Sequence, residues 1–377
     1  MTHPTAVPAA AITAPAAADG RPAPHLFSPL TLRGVTLRNR IVVSPMCQYS
    51  SQDGAATDWH LVHLGSRAVG GAGLIFVEAT AVEPRGRISP EDSGLWDDRH
   101  IEPLARIVRF CQEQGAAMGM QLAHAGRKAS AHRPWEGGKP LQDSRAWETV
   151  APSPIPFAEG WPVPRELRRD EIAEVMAAFG RAAARARRAG FHVLEVHAAH
   201  GYLIHTFLSP LGNRRTDAYG GSFENRCRLL FEVVEAVRRE WPAERPLFIR
   251  ISSTDWIEGG WTPDDTVALA RILKGRGVDA IDCSSGNLAP AQKMPTTPGY
   301  NVPFAERVRR EAGIPSAVVG LVTGVEQAQE IIASGRADLV VMAREMLRDP
   351  YWPLHAAQAL GTDIPWASQY LRAKPQR

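Results

Sequence analysis

The chain has 377 residues, of which 44% are hydrophobic and 22% charged, with 43 Lys+Arg against 40 Asp+Glu. That is enough for one large α/β domain or two ordinary ones, and a near-average composition excludes a fibrous or wholly disordered polymer. A net charge of +3 leaves no electrostatic footprint for nucleic acid or an anionic membrane, and no apolar run approaches the roughly 20 residues of a membrane-spanning helix.

Residues 1–24 are rich in Ala, Pro and Gly, a composition that cannot close a core, so a mobile tail is expected there and a single domain over 25–377. The tail has no basic n-region, and Pro4, Pro8 and Pro15 break its apolar stretch, which argues against a secretory signal. Cys47, Cys111, Cys227 and Cys283 are scattered without a C-x-x-C pair. Neither a disulfide framework nor a thiolate metal site is expected, and a reducing cytoplasm is the default compartment.

Eight short apolar runs follow, at Arg40–Pro45, Leu74–Thr80, Met118–Ala123, Phe191–His197, Leu247–Ser252, Val278–Ser284, Ser316–Gly320 and Asp338–Ala343. Helical spacing appears between several of them: Ile172, Val175, Met176, Phe179 and Ala183; then Leu230, Val234, Val237 and Trp241; then Val325, Ala328 and Ile332. Strands separated by helix or loop predict a parallel sheet, and eight such units favour closure into a single (β/α)8 TIM barrel over a doubly wound open sheet. After the third run, residues 128–165 hold seven prolines and Trp135, Trp147 and Trp161, which predicts a packed loop capping the catalytic face.

Polar residues stand where these strands end: Cys47 and Tyr49, Gln121, then His197, His200 and Tyr202. Barrel enzymes draw their catalytic groups from such positions. Pleat alternation puts Arg250 on the face opposite Leu247, Ile249 and Ile251, so that it points into the barrel mouth, where a buried cation needs an anion or a polar network. The pair His197 and His200 admits three readings. They are ordinary hydrogen-bonding histidines, or metal ligands with Glu195, His205 or Asp217 as a third, or two donors that clamp a carbonyl oxygen and stabilise an enolate. In the last reading Tyr202 serves as general acid, because a phenol is protonated at neutral pH.

Four strings, in this order, resemble the Old Yellow Enzyme family of flavin oxidoreductases: Ser44–Ser50 (SPMCQYS), Met120–Lys128 (MQLAHAGRK), Glu195–Leu203 (EVHAAHGYL) and Asn213–Arg226 (NRRTDAYGGSFENR). The resemblance runs from about Leu26 to the C-terminus, and Cys47 makes the chain similar to the bacterial thermophilic-like subclass. It implies FMN across the barrel mouth, with Ser44, Pro45, Met46, Cys47 and Ala79 beside the isoalloxazine and Gln121 on its pyrimidine edge. Arg250 would stand near N1 and O2, and the phosphate near Gly320, Ala343 and Arg344, the usual barrel phosphate site. Relatives often carry glycine at the position of Ala343.

It further implies that NADPH or NADH supplies hydride and that α,β-unsaturated aldehydes, ketones or imides are reduced by a ping-pong mechanism. His197 and His200 would bind the carbonyl oxygen, Tyr202 would protonate the α-carbon, Tyr49 would orient the substrate and Cys47 would tune the flavin. Gln369–Arg372 resembles an element that enters a neighbouring subunit's site, which makes Arg372 a substrate-binding candidate and implies a homodimer or homotetramer. Asp217, Asn225 and Arg226 are read as loop structure without a chemical role. No cysteine follows Cys283, which argues against the iron–sulfur branch of the family, and no metal is expected. A G-x-G-x-x-G strand–helix unit is also missing, in line with a nicotinamide that docks transiently on the flavin.

Overall fold

The structure, a computed structural model, describes residues 25–375; the tail expected over 1–24 lies outside the described residues. All eight expected strands form: β1 (Ile41–Val43), β2 (Leu74–Ala81), β3 (Ala117–Ala123), β4 (Val193–Ala198), β5 (Leu247–Ser252), β6 (Ala280–Ser284), β7 (Ser316–Val319) and β8 (Leu339–Met342). Each pairs in parallel with its neighbours, and β8 pairs with β1, so the sheet is a closed barrel. Closure overturns the doubly wound alternative, which requires two unpaired edges.

Pleat alternation sorts the strand residues. Val42, Leu74, Phe76, Ala117, Val193, Phe248, Ala280, Ala317, Leu339 and Val341 form one cluster inside the barrel. Gly119 is needed there, because a Cβ at that position would lie 2.5 Å from the Phe76 ring. A hairpin, Leu30–Leu32 with Val35–Leu37, closes the N-terminal end with Leu32 and Leu37. The alternate residues, such as Ile75, Met118, Leu194, Ile249 and Val340, join the larger core under the helices. At about 1.5–3 kcal/mol per fully buried large aliphatic side chain, these two layers dominate the stability of the fold.

The barrel helices are α1 (Asp58–Val69), α2 (Ile101–Glu113), α3 (Arg169–Arg188), α4 (Phe223–Glu240), α5 (Pro263–Gly275), α6 (Val302–Arg307), α7 (Val325–Ala333) and α8 (Trp352–Ala359). In α3 the expected stripe is the buried face: Ile172, Val175, Phe179 and Ala183 are fully covered, and Met176 lies at its margin. Side chains fix the helix starts. Thr262 Oγ1 accepts from Asp265 N before α5, and Pro263 sits at the first helical position. Ser222 caps α4 in the same way.

Residues 128–165 fold as a cap with structure of its own. A two-stranded parallel pair joins Val150–Ala151 to Arg165–Glu166, a 3-10 turn covers Pro134–Glu136, and Trp147 Nε1 donates to Arg85 O at 3.0 Å. Among the described residues no helix is long and apolar enough to cross a membrane.

Candidate active site

The C-terminal ends of the strands carry a polar layer directly above the apolar interior. Buried Ser44 follows β1, Gln121 is on β3, Glu195 and His197 on β4, Arg250 on β5, and Asp282 and Ser284 on β6. Register makes them neighbours: Gln121 pairs with Glu195, His197 with Arg250, and Arg250 with Asp282. Arg250 is 4% exposed; its Nη1 donates to Ser44 Oγ at 3.1 Å and its Nε lies 3.4 Å from Asp282 Oδ2. Its Nε is buried without a hydrogen-bond partner.

His197 ends β4 and accepts from Ala199 N at Nδ1 (3.3 Å), which leaves the proton on Nε2. The chain then turns through His200 at φ 61° and Gly201 at φ 72°. Glycine is needed at 201, where an added Cβ would meet Asn287 O at 2.4 Å. His200 is held by Ser252 Oγ at its backbone nitrogen (2.9 Å) and by Ser284 Oγ at Nε2 (2.6 Å). If Ser284 donates, the His200 proton sits on Nδ1, so each imidazole has one N–H to offer. Burial, then the Arg250 charge, lowers both histidines well below their usual range and keeps them neutral.

The His197 ring meets the His200 and Tyr202 rings edge to face, with centroids 5.1 and 5.0 Å apart. Burial raises the Tyr202 phenol well above its usual range, so it stays protonated. Lys128 reaches over the Tyr202 ring at 5.1 Å while Nζ donates to His200 O (2.9 Å), and burial lowers its pKa to about 8.

The segment after β1 forms the opposite wall. Tyr49 adopts φ 50° and meets Trp135 of the cap edge to face at 5.7 Å. Burial, then Asp92 and Glu78, raises the Cys47 thiol, which stays uncharged. An irregularity in β2 between Val77 and Ala79 releases Glu78 from the ladder. Its carboxylate accepts from Gln48 N, His60 Nε2 (2.8 Å) and Ser93 Oγ (2.8 Å) and so pins the stretch that carries Cys47 and Tyr49. Ala79 then faces Gln121 across the β2–β3 ladder.

At β7 and β8, Gly320 has φ 143°, and a Cβ there would lie 2.9 Å from Asn301 Nδ2. Ala343 precedes the short helix Arg344–Arg348, and Arg344 is exposed. Arg372 lies in an exposed turn, Ser368–Ala373, with no hydrogen bond or ion pair to the mouth among the described residues. Within one chain the strand ends therefore bring Ser44, Gln121, His197, His200, Tyr202 and Arg250 into one layer, and Arg372 is not among them.

Two of the three candidate third ligands in the metal reading are committed elsewhere. His205 is spent on Gly201 N (2.8 Å) and Asp255 (2.9 Å), and Asp217 on Arg215 and Arg169. No cluster of three or more His, Cys, Asp or Glu fit to hold a metal occurs among the described residues. Asn225 and Arg226 bond to loop carbonyls at Gly220, Leu208 and Gly221, in keeping with a structural role.

Sequence reasoning passed over Lys128, Glu78, Asp282 and Ser284. Lys128 stands inside a motif already singled out. The other three look like ordinary strand residues until register is known, and only strand alternation could have flagged Asp282.

The donor set fits FMN: an inward guanidinium whose buried Nε lacks a hydrogen-bond partner, an amide in the same polar layer, and a glycine-only turn where barrels bind phosphate. Residues 25–363 match the model of the NADH:flavin oxidoreductase / NADH oxidase family. An NADPH dehydrogenase of Geobacillus thermodenitrificans is 52% identical over 349 residues, 92% of this chain and 98% of that one. Among solved structures, morphinone reductase in complex with tetrahydroNAD superposes with a TM-score of 0.76 at 29% identity, covering 92% of this chain and 94% of the other. A 2-naphthoyl-CoA reductase complex reaches 0.81 at 26% identity over 89% of this chain, which spans only 52%, about half, of that longer protein. The chain belongs to the NADH:flavin oxidoreductase / NADH oxidase family, as an FMN-containing NAD(P)H-dependent oxidoreductase of the Old Yellow Enzyme type.

Proposed function

We propose that this protein is an ene-reductase that reduces the activated C=C bond of α,β-unsaturated aldehydes, ketones and imides, with NADPH as reductant. FMN, held by the residues named below, would supply the two-electron hydride chemistry between nicotinamide and alkene. His197 and His200 hold the substrate carbonyl oxygen as two neutral N–H donors and stabilise the negative charge that grows on it. Tyr202 gives the proton at Oη to the α-carbon; a phenol kept protonated by burial suits that task. Lys128, over the same ring, favours the phenolate left behind.

Tyr49 orients the substrate from the opposite wall, while Ser44, Pro45, Met46, Ala79, Gln121 and Arg250 line the cofactor. Gly320, Ala343 and Arg344 take the phosphate. Cys47, beside the flavin as a neutral thiol, tunes its potential. The protein acts in the cytoplasm as a homodimer or homotetramer, with Arg372 of one copy approaching the mouth of another. The free state of its cysteines and the exposure of Tyr370 and Leu371 beside Arg372 support this.

The single observation that carries the proposal is the edge-to-face cluster of His197, His200 and Tyr202 at one strand end. A His197→Ala, His200→Ala double variant should keep its flavin and its oxidation of NADPH. Its turnover of cyclohexenone should fall at least as far as the loss of one oxyanion donor, about 10²–10³-fold. Undiminished enone turnover would refute the clamp. Because both substrates use one mouth, steady-state double-reciprocal plots should be parallel, and intersecting lines would contradict the shared site.

A further inference from the structure

Beneath the mouth, on neighbouring parts of the polar layer, lie two buried carboxyl groups. Glu195 is 0% and Asp282 1% exposed, and the two are close enough that each acts on the other's ionisation. Glu195 Oε1 accepts from Gln121 Nε2 at 2.7 Å, while Glu195 Oε2 and both Asp282 oxygens are buried without a hydrogen-bond partner. The cation facing them is Arg250, from β5; β3 contributes the neutral Gln121; below lie Val42, Phe76, Phe248, Ala317 and Val341. One guanidinium cannot offset two adjacent carboxylates in a dry interior, and opposed acceptors are satisfied only when a proton lies between them.

We propose that Glu195 and Asp282 share a single proton and are positioning residues for the flavin, acting through Gln121 and Arg250 to set the charge presented to its pyrimidine edge. With the proton in place, the pair carries one negative charge against the one positive charge of Arg250, and Glu195 orients the Gln121 amide. Without it, a second negative charge appears beside the place where the reduced cofactor gathers its own. Burial, then the Asp282 charge, holds Glu195 protonated well above the usual carboxylate range, so the proton is present at neutral pH and lost on the alkaline side. The inference rests on reading Gln121 and Arg250 as ligands of the pyrimidine edge.

Glu195→Gln tests it, because a glutamine Oε1 still accepts from Gln121 while its Nε2 donates to Asp282, copying the protonated acid. The midpoint potential of the bound FMN is measured against pH for wild type and variant. Infrared spectra of both flavin-free proteins are compared in the carboxylic-acid carbonyl region. With Asp92, the other buried acid, replaced by Asn in every protein compared by infrared, the expected result is a buried-acid band present when Glu195 and Asp282 are intact and missing in E195Q, with the same loss in Asp282→Asn, where Glu195 ionises against Arg250. The two potential curves should coincide at neutral pH and diverge at alkaline pH, the wild type falling below E195Q. Lack of the band when both acids are intact overturns the shared proton, whatever the flavin does. A band with potential curves that coincide throughout overturns the coupling, and traces the failure to the placement of the pyrimidine edge beside Arg250.

Discussion

Tyr202 shows how a residue's task follows from its surroundings. The phenol lies against the His197 edge and beneath the Lys128 ammonium, and burial keeps it protonated across the physiological range. Tyr202→Phe preserves the packing and removes only the proton. In anaerobic stopped-flow runs, flavin reduction by NADPH should keep its rate, while reoxidation by an enone slows by roughly 10²–10⁴-fold, the usual worth of a positioned general acid. Equal slowing of both phases would mean that the hydroxyl does something other than protonate. Much of this residue-level picture is legible in the sequence, because His197, His200 and Tyr202 fall within one turn after a strand, and Arg250 is revealed by its phase in Leu247–Ser252. Ser284 and Asp282 are hidden for the opposite reason. Their partners, His200 and Arg250, lie 84 and 32 positions away in sequence and are joined to them only by barrel register.

At the scale of elements, the walls of the mouth depend on two local departures from regular structure. The irregularity in β2 frees Glu78 to hold Gln48, His60 and Ser93. Glu78→Ala removes the carboxylate partner of Gln48 N and His60 Nε2, while Ser93 Oγ keeps Ser51 Oγ, so unfolding by urea should show a loss of about 1–3 kcal/mol per group left bare. The Cys47–Tyr49 stretch should become susceptible to proteolysis; an unchanged unfolding midpoint would contradict the anchor. After β7, Gly320 occupies a left-handed conformation in contact with Asn301. Gly320→Ala should raise the dissociation constant for FMN, read by flavin fluorescence on dilution, with little change in the fold; unaltered retention would remove that turn from the phosphate site. Strand positions were legible because each is a short apolar run bounded by turn residues, and the observed limits differ by only one or two positions. The cap was legible as a packed loop from its prolines and tryptophans, but not its Val150–Arg165 pairing, which two-residue strands are too short to signal.

For the molecule as a whole, closure forces the polar layer to one end and buries charge there. Asp92 accepts from Ile88 N, Ser89 N and Ser89 Oγ, yet burial outweighs these donors and pushes its carboxyl up to about 7. A raised acid holds in the fold a proton that the unfolded chain has released. Its contribution to stability is therefore full at low pH, declines from about pH 4 to about pH 7, and is level above that. Urea unfolding of the holoenzyme should accordingly show that Asp92→Asn flattens the pH dependence in this window; a slope identical to wild type would place the titration elsewhere. The eight-fold alternation made the barrel legible from sequence, because closure is the arrangement that leaves none of eight apolar strands at an edge. The placement of Arg372 was not legible as a contact, since within one chain it stands exposed, away from the mouth. The most direct test of the ene-reductase reading is an anaerobic titration of the purified yellow protein. NADPH should bleach the flavin absorption and cyclohexenone should then restore it in full without oxygen, with cyclohexanone as the product. A bleached spectrum that only air restores would contradict the account.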